Sequence, residues 1–142
     1  MQMKPNQSRS FPKTRVALVD DHPWIRKGLR SLLGTEEGFE VCGEAEDAQG
    51  AIDLVAAAIP DLAIIDISIK GAIDGIELTR KLKAAHPHLL VLTLSLHAEA
   101  EYEARALAAG ASAYLTKSDV SISLFDTLRR IVCQAETQSP LS

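Results

Sequence analysis

The chain has 142 residues, 46% hydrophobic and 24% charged, with a formal net charge of −4, which fits one globular domain with a sizeable core. No apolar run approaches the roughly 20 residues that a membrane helix needs. The N-terminal "MQMKPNQSRSFPKT" lacks a secretory h-region, and the net charge disfavours nucleic-acid binding by this segment, so a cytoplasmic domain is expected. The two cysteines, Cys42 and Cys133, stand in apolar segments without a CxxC pair and read as reduced packing residues.

Residues 1–13 are polar and aperiodic and read as a flexible arm. From Arg15 strand and helix signals alternate. "VALV" is a first strand ending at Asp20 and Asp21. Ile25, Leu29, Leu32 and Leu33 then share a helical face, with Pro23 suited to the first turn. "FEVCGEA" is a second strand. "DAQGAIDLVAAA" is a second helix capped by Asp47, with Ile52, Val55 and Ile59 on one stripe. "DLAIID" is a third strand, and "DGIELTRKLKAAH" a third helix stopped by Pro87. "LLVLTLS" is a fourth strand, followed by a helix closing on Gly110. "ASAYLTK" is a fifth strand. The last helix carries Leu124, Phe125, Leu128, Ile131 and Val132 at helical spacing, and "QAETQSPLS" reads as a polar linker. Strands apolar on both faces are those of a parallel sheet covered on both sides, so the fold class is α/β, a doubly wound five-stranded parallel sheet with five helices.

In such a sheet the working site lies beyond the carboxyl ends of the strands, near the reversal of strand order. Those ends carry Asp20, Asp21, Asp66, Ser95 and Lys117. Singly, each has an ordinary explanation: a cap or turn for the acids and Ser95, a solvated charge for Lys117. His22 and His97 read as exposed turn residues. Together, three converging carboxylates call for a cation, and hard oxygen donors with room for water suit Mg²⁺. A lysine and a hydroxyl facing that metal suit the oxygens of a phosphoryl group.

The acid pair in "VALVDDHP", the acid of "DLAIIDIS", the hydroxyl of "VLTLSLH" and the lysine of "AGASAYLTK" resemble, over residues 14–134, the receiver domain of bacterial two-component response regulators (flavodoxin-like, CheY-like). "VDDHPWIRKGLRSLL" and "LSLHAEAEYEARALAAGASAYLTK" resemble receivers of LuxR/NarL-type transcription regulators. The resemblance implies that Asp66 accepts a phosphoryl group from a sensor histidine kinase. Asp21, Asp66 and the Ser68 carbonyl would hold Mg²⁺, with Asp20 reaching it through water. Lys117 and Ser95 would contact the phosphoryl group, and Tyr114 would change rotamer as the Ser95 loop moves. A homodimer through the fourth helix, fifth strand and fifth helix is a further expectation. So is a helix-turn-helix DNA-binding domain beyond residues 135–142; a stand-alone or phosphorylation-independent receiver is the alternative.

The chain departs from the family after the acceptor: Lys70 stands where a proline is usual, and "GAIDG" is one residue longer. Leu96, beside Ser95, is expected to narrow the path of attacking water. Two other classes fit less well. A haloacid-dehalogenase-type phosphohydrolase resembles Asp-x-Asp where this chain has "DIS", and so lacks a general acid. A flavodoxin-type module would want a hydroxyl- and glycine-rich loop where this chain has "DDHP".

Overall fold

The structure, a computed structural model, describes residues 12–96 and 99–138. His97, most of the N-terminal arm and the last four residues of the expected linker lie outside the described residues. Strands and helices alternate: β1 (Thr14–Val19), α1 (Pro23–Leu33), β2 (Phe39–Ala45), α2 (Ala48–Ala58), β3 (Leu62–Asp66), α3 (Gly75–Ala85), β4 (Leu90–Ser95), α4 (Ala100–Ala108), β5 (Ala113–Thr116) and α5 (Val120–Gln138). The sheet order is β2-β1-β3-β4-β5, and every pairing is parallel. Five parallel strands with five helices are the doubly wound α/β fold. Among the described residues, no helix is long and apolar enough to cross a membrane.

The period of two in a strand explains the continuous apolar runs. Val16, Leu18, Ile64, Leu92 and Leu94 face α1 and α5, packing on Leu29, Leu33, Leu124, Leu128 and Ile131. Their neighbours Ala17, Val19, Ala63, Ile65 and Val91 face the other way, onto Val55, Ile76, Leu78, Leu82 and Ala106. Both faces of the central strands are therefore dry.

Local signals set the helix ends. Pro23 occupies the first turn of α1. Asp47 and Asp74 cap α2 and α3, each side chain accepting from a backbone N–H, of Gly50 at 2.8 Å and of Glu77 at 2.9 Å. After α4, Gly110 has φ 113°. Its N–H donates to Leu107 O and that of Ala111 to Ala106 O, both at 3.0 Å; this paired closure needs a left-handed residue that glycine supplies without strain.

Three features differ from expectation. Ile59 is not on the buried stripe of α2: it is the C-terminal cap, with φ 49°, and is 69% exposed. The Arg15 guanidinium secures that turn, Nη1 donating to Ala58 O and Ile59 O. Second, α5 runs to Gln138, five residues into the expected "QAETQSPLS" linker, because Gln134, Ala135 and Glu136 are good helix formers and Thr137 Oγ1 donates back to Cys133 O. Third, Cys133 is exposed while Cys42 is half-buried, so Cys133 is not a packing residue.

Candidate functional site

The sheet order places consecutive strand ends side by side. Val19 is abreast of Ile65 in the β1–β3 pairing, so the next residues, Asp20 and Asp66, lie together at the switch between β1 and β3. Asp66 is abreast of Leu94, which sets Ser95 one step further out. Ser95 is abreast of Thr116, and Lys117 follows. The stagger turns four separate strand ends into one crevice.

Asp20 and Asp66 are buried, with side chains 2% and 0% exposed. Lys117 Nζ stands 3.3 Å from Asp20 Oδ2 and 3.3 Å from Asp66 Oδ2. Asp66 Oδ1 accepts the Ser68 N–H at 3.0 Å, and Asp20 Oδ1 accepts the His22 N–H at 2.8 Å. The outer oxygens, Asp20 Oδ2, Asp66 Oδ2 and Asp21 Oδ1, have no hydrogen-bond partner. Lys117 is within ion-pair distance of the first two but without hydrogen-bond geometry, so its contribution is electrostatic. Three carboxylates facing one ammonium leave a formal charge of −2, and uncompensated buried charge is costly. Burial pushes the Asp66 carboxyl above its ordinary value, helped by the nearby Asp20 charge and opposed by the Ser68 N–H and Lys117.

These donors fit a divalent cation. Asp20, Asp21, His22 and Asp66 each offer a ligand atom, all within 4.8 Å of one another, and three carboxylate oxygens among them lack hydrogen-bond partners. A site this rich in carboxylate oxygen suits a hard ion such as Mg²⁺.

The remaining expected residues sit around this centre. Ser68 follows Asp66 by two residues in the β3–α3 loop and is exposed. Ser95 is fully buried at the end of β4. Tyr114 is half-buried in β5, abreast of Thr93. Lys70 is exposed, in a loop pinned on either side by buried Ile67, Ile69 and Ile76. Leu96 is 73% exposed and covers little in this conformation.

Three contributors are not evident from the sequence. His22, a turn residue by its sequence position, presents Nδ1 to both acids of the pair, 3.0 Å from Asp20 Oδ1 and 3.1 Å from Asp21 Oδ1. Arg26 holds the acid pair from behind: Nη1 donates to the Asp20 carbonyl and Nε to Glu44 Oε1 at 2.9 Å. The signal for Arg26 is its place in the first turns of α1, since helical side chains lean toward the N-terminus. Gly75 opens α3 against Asp66: a Cβ there would lie 2.3 Å from the Asp66 carbonyl oxygen.

A sheet of this order, with buried acids at the ends of β1 and β3 facing a lysine after β5, has the architecture of a receiver domain. Residues 16–129 match the response regulator receiver domain family, and the chain belongs to it. It is 31% identical to the response regulator GacA of Pseudomonas viridiflava over 126 residues, 89% of this chain and 58% of that protein. It is 33% identical to the transcriptional regulatory protein DegU of Brevibacillus brevis over 124 residues, 87% of this chain and 52% of that protein. Its fold matches a LuxR-family two-component response regulator from Aurantimonas sp. SI85-9A1, with TM-score 0.82, 34% identity and 86% of each chain covered. The chain thus spans little more than half the length of the first two relatives. Receiver domains of this kind are signalling modules of two-component systems, not enzymes.

Proposed function

We propose that Asp66 takes a phosphoryl group from the phosphohistidine of a sensor histidine kinase, and that the resulting acyl phosphate switches a surface of residues 14–134. The observation that carries this reading is the pair of buried acids, Asp20 and Asp66, sharing the single Lys117 ammonium at 3.3 Å each. An Asp66 oxygen attacks phosphorus, the P–N bond breaks, and the imidazole leaves with the bonding electron pair and takes up a proton.

Asp21, Asp66 and the Ser68 carbonyl would hold Mg²⁺, with Asp20 reaching it through water. The ion supplies charge neutralisation for the phosphoryl oxygens. Lys117, released from its two acids, turns to those oxygens. Ser95 hydrogen-bonds the phosphoryl group and draws the β4–α4 loop inward, and Tyr114 follows by changing rotamer. The new charge and acceptor oxygens bias a two-state surface. That surface is the α4–β5–α5 face, where exposed Leu107 and Ile122 support a homodimer contact. By likeness to its regulator relatives, the domain acts in the cytoplasm and controls DNA binding through a helix-turn-helix domain that lies outside this chain.

The test is incubation with Mg²⁺ and a small phosphodonor such as acetyl phosphate, read by intact mass. One phosphoryl adduct is expected, and Asp66→Asn abolishes it. No adduct, with metal binding verified, would replace this reading by that of a phosphorylation-independent protein-binding receiver.

A further inference from the structure

We propose that His22 is a nitrogen ligand of the divalent cation, and that the site therefore takes Mn²⁺, or another first-row transition ion, in preference to Mg²⁺. The inference rests on the reading of Asp21 and Asp66 as cation ligands.

His22 is placed as the N-terminal cap of α1, yet its side chain makes no capping hydrogen bond. The ring instead turns its Nδ1 inward, 3.1 Å from Asp21 Oδ1 and 3.0 Å from Asp20 Oδ1. An octahedral ion with bonds of about 2.1 Å sets adjacent donors about 3.0 Å apart, so the Nδ1–Asp21 Oδ1 separation has the length of one octahedral edge. The donor atoms of Asp21, His22 and Asp66, with the Asp20 carboxylate beside them, lie within 4.8 Å of one another, somewhat wider than the ~4.2 Å between opposite donors of such an ion. The oxygens on the far side, Asp20 Oδ2 and Asp66 Oδ2, are buried and lack hydrogen-bond partners. Trp24 meets the His22 ring edge-on at 5.7 Å between centroids. With Nδ1 on the metal, the ring proton resides on Nε2.

An all-oxygen site serves Mg²⁺ and Mn²⁺ alike, and Mg²⁺ gains little from a softer donor. One imidazole shifts the balance along the order Mn²⁺, Fe²⁺, Co²⁺, Ni²⁺. The competing arrangement is an Nδ1–H that donates to the two carboxylates and leaves when a cation arrives. It leaves no nitrogen on the metal.

The test is three-pulse electron spin echo spectroscopy of the Mn²⁺-loaded protein, with calorimetric titrations of Mn²⁺ and Mg²⁺ into wild type, His22→Asn and Asp21→Asn. Asparagine is a strong N-terminal cap, so α1 is preserved in the histidine variant. Directly bound ¹⁴N modulation is expected in wild type and absent from His22→Asn, whose preference for Mn²⁺ over Mg²⁺ falls by about tenfold. Mn²⁺ that binds in an Asp21-dependent way without nitrogen coupling overturns the His22 ligand and leaves the carboxylate site standing. Cation binding that is absent, or indifferent to Asp21→Asn, overturns both.

Discussion

Gly75 is the position where α3 touches the end of β3, and Gly75→Ala is expected to damage both fold and site. The added Cβ would stand 2.3 Å from the Asp66 carbonyl oxygen, 2.5 Å from Ile67 Cα and 2.9 Å from the Asp66 carbonyl carbon. All three are backbone atoms that no rotamer change can move. Ordinary contact requires the first turn of α3 to withdraw by about 1 Å. That withdrawal also stretches the Gly75 N–H bond to Ile67 O, now 3.1 Å. Alanine returns about 0.5–1 kcal/mol of helix propensity, while overpacking of this kind costs about 1–3 kcal/mol. The clash wins, with an expected net loss of about 1–2 kcal/mol in urea denaturation and slower phosphoryl uptake by the displaced Asp66. Gly28→Ala is the control: Gly28 is exposed on α1, and a methyl group added there meets nothing within 4 Å, so the same substitution should stabilise by about 0.5–1 kcal/mol. A Gly75→Ala protein as stable as wild type would refute the close-approach reasoning.

Lys117→Met leaves Asp20 and Asp66 buried without their shared cation, and a loss of about 3 kcal/mol is expected in chelator; Mg²⁺ should restore part of it, and an unchanged denaturation midpoint would contradict the ion-pair reading. Because burial raises the folded-state pKa of Asp66, protonating it favours the fold: stability from this group is fully present below the ordinary carboxyl value and lost as pH rises through the raised one. In metal-free buffer Asp66→Asn should therefore raise the melting temperature most at neutral pH, with the gain shrinking toward pH ~4, and a gain constant with pH would count against it. Arg26→Ala removes the hydrogen bonds to the Asp20 carbonyl and Glu44, at an expected cost of about 1–3 kcal/mol in chemical denaturation. Arg26→Lys should not restore it, since one ammonium lacks the fork that reaches both; full rescue by lysine would show that charge alone matters.

The strand ends are legible because each apolar run stops on a polar residue, and doubly wound sheets gather such ends on one side. Asp66, Asp20 and Lys117 can be grouped on that ground alone. The contacts that support them are not legible. His22 and Arg26 act through side-chain direction on α1, and one-dimensional spacing does not show which way a ring or guanidinium turns. Gly75 follows an Asp74 cap that already explains the local sequence, so its closeness to the Asp66 carbonyl is a tertiary fact. Ile59 continues the helical stripe of α2 in the sequence, but the turn back to β3 takes it into the left-handed region, where Arg15 holds the carbonyls. The polar residues after Cys133 read as linker because polarity marks solvent exposure, and an exposed helix is polar too.

Asp66, and no other residue, is proposed to carry the phosphoryl group. The direct measurement is borohydride reduction of the phosphodonor-treated protein, which converts an aspartyl phosphate to homoserine, followed by peptide mass mapping. Homoserine is expected at position 66, dependent on a divalent cation and absent from untreated protein. Homoserine at Asp20 or Asp21, or phosphate stable to borohydride on a hydroxyl such as Ser95, would contradict it.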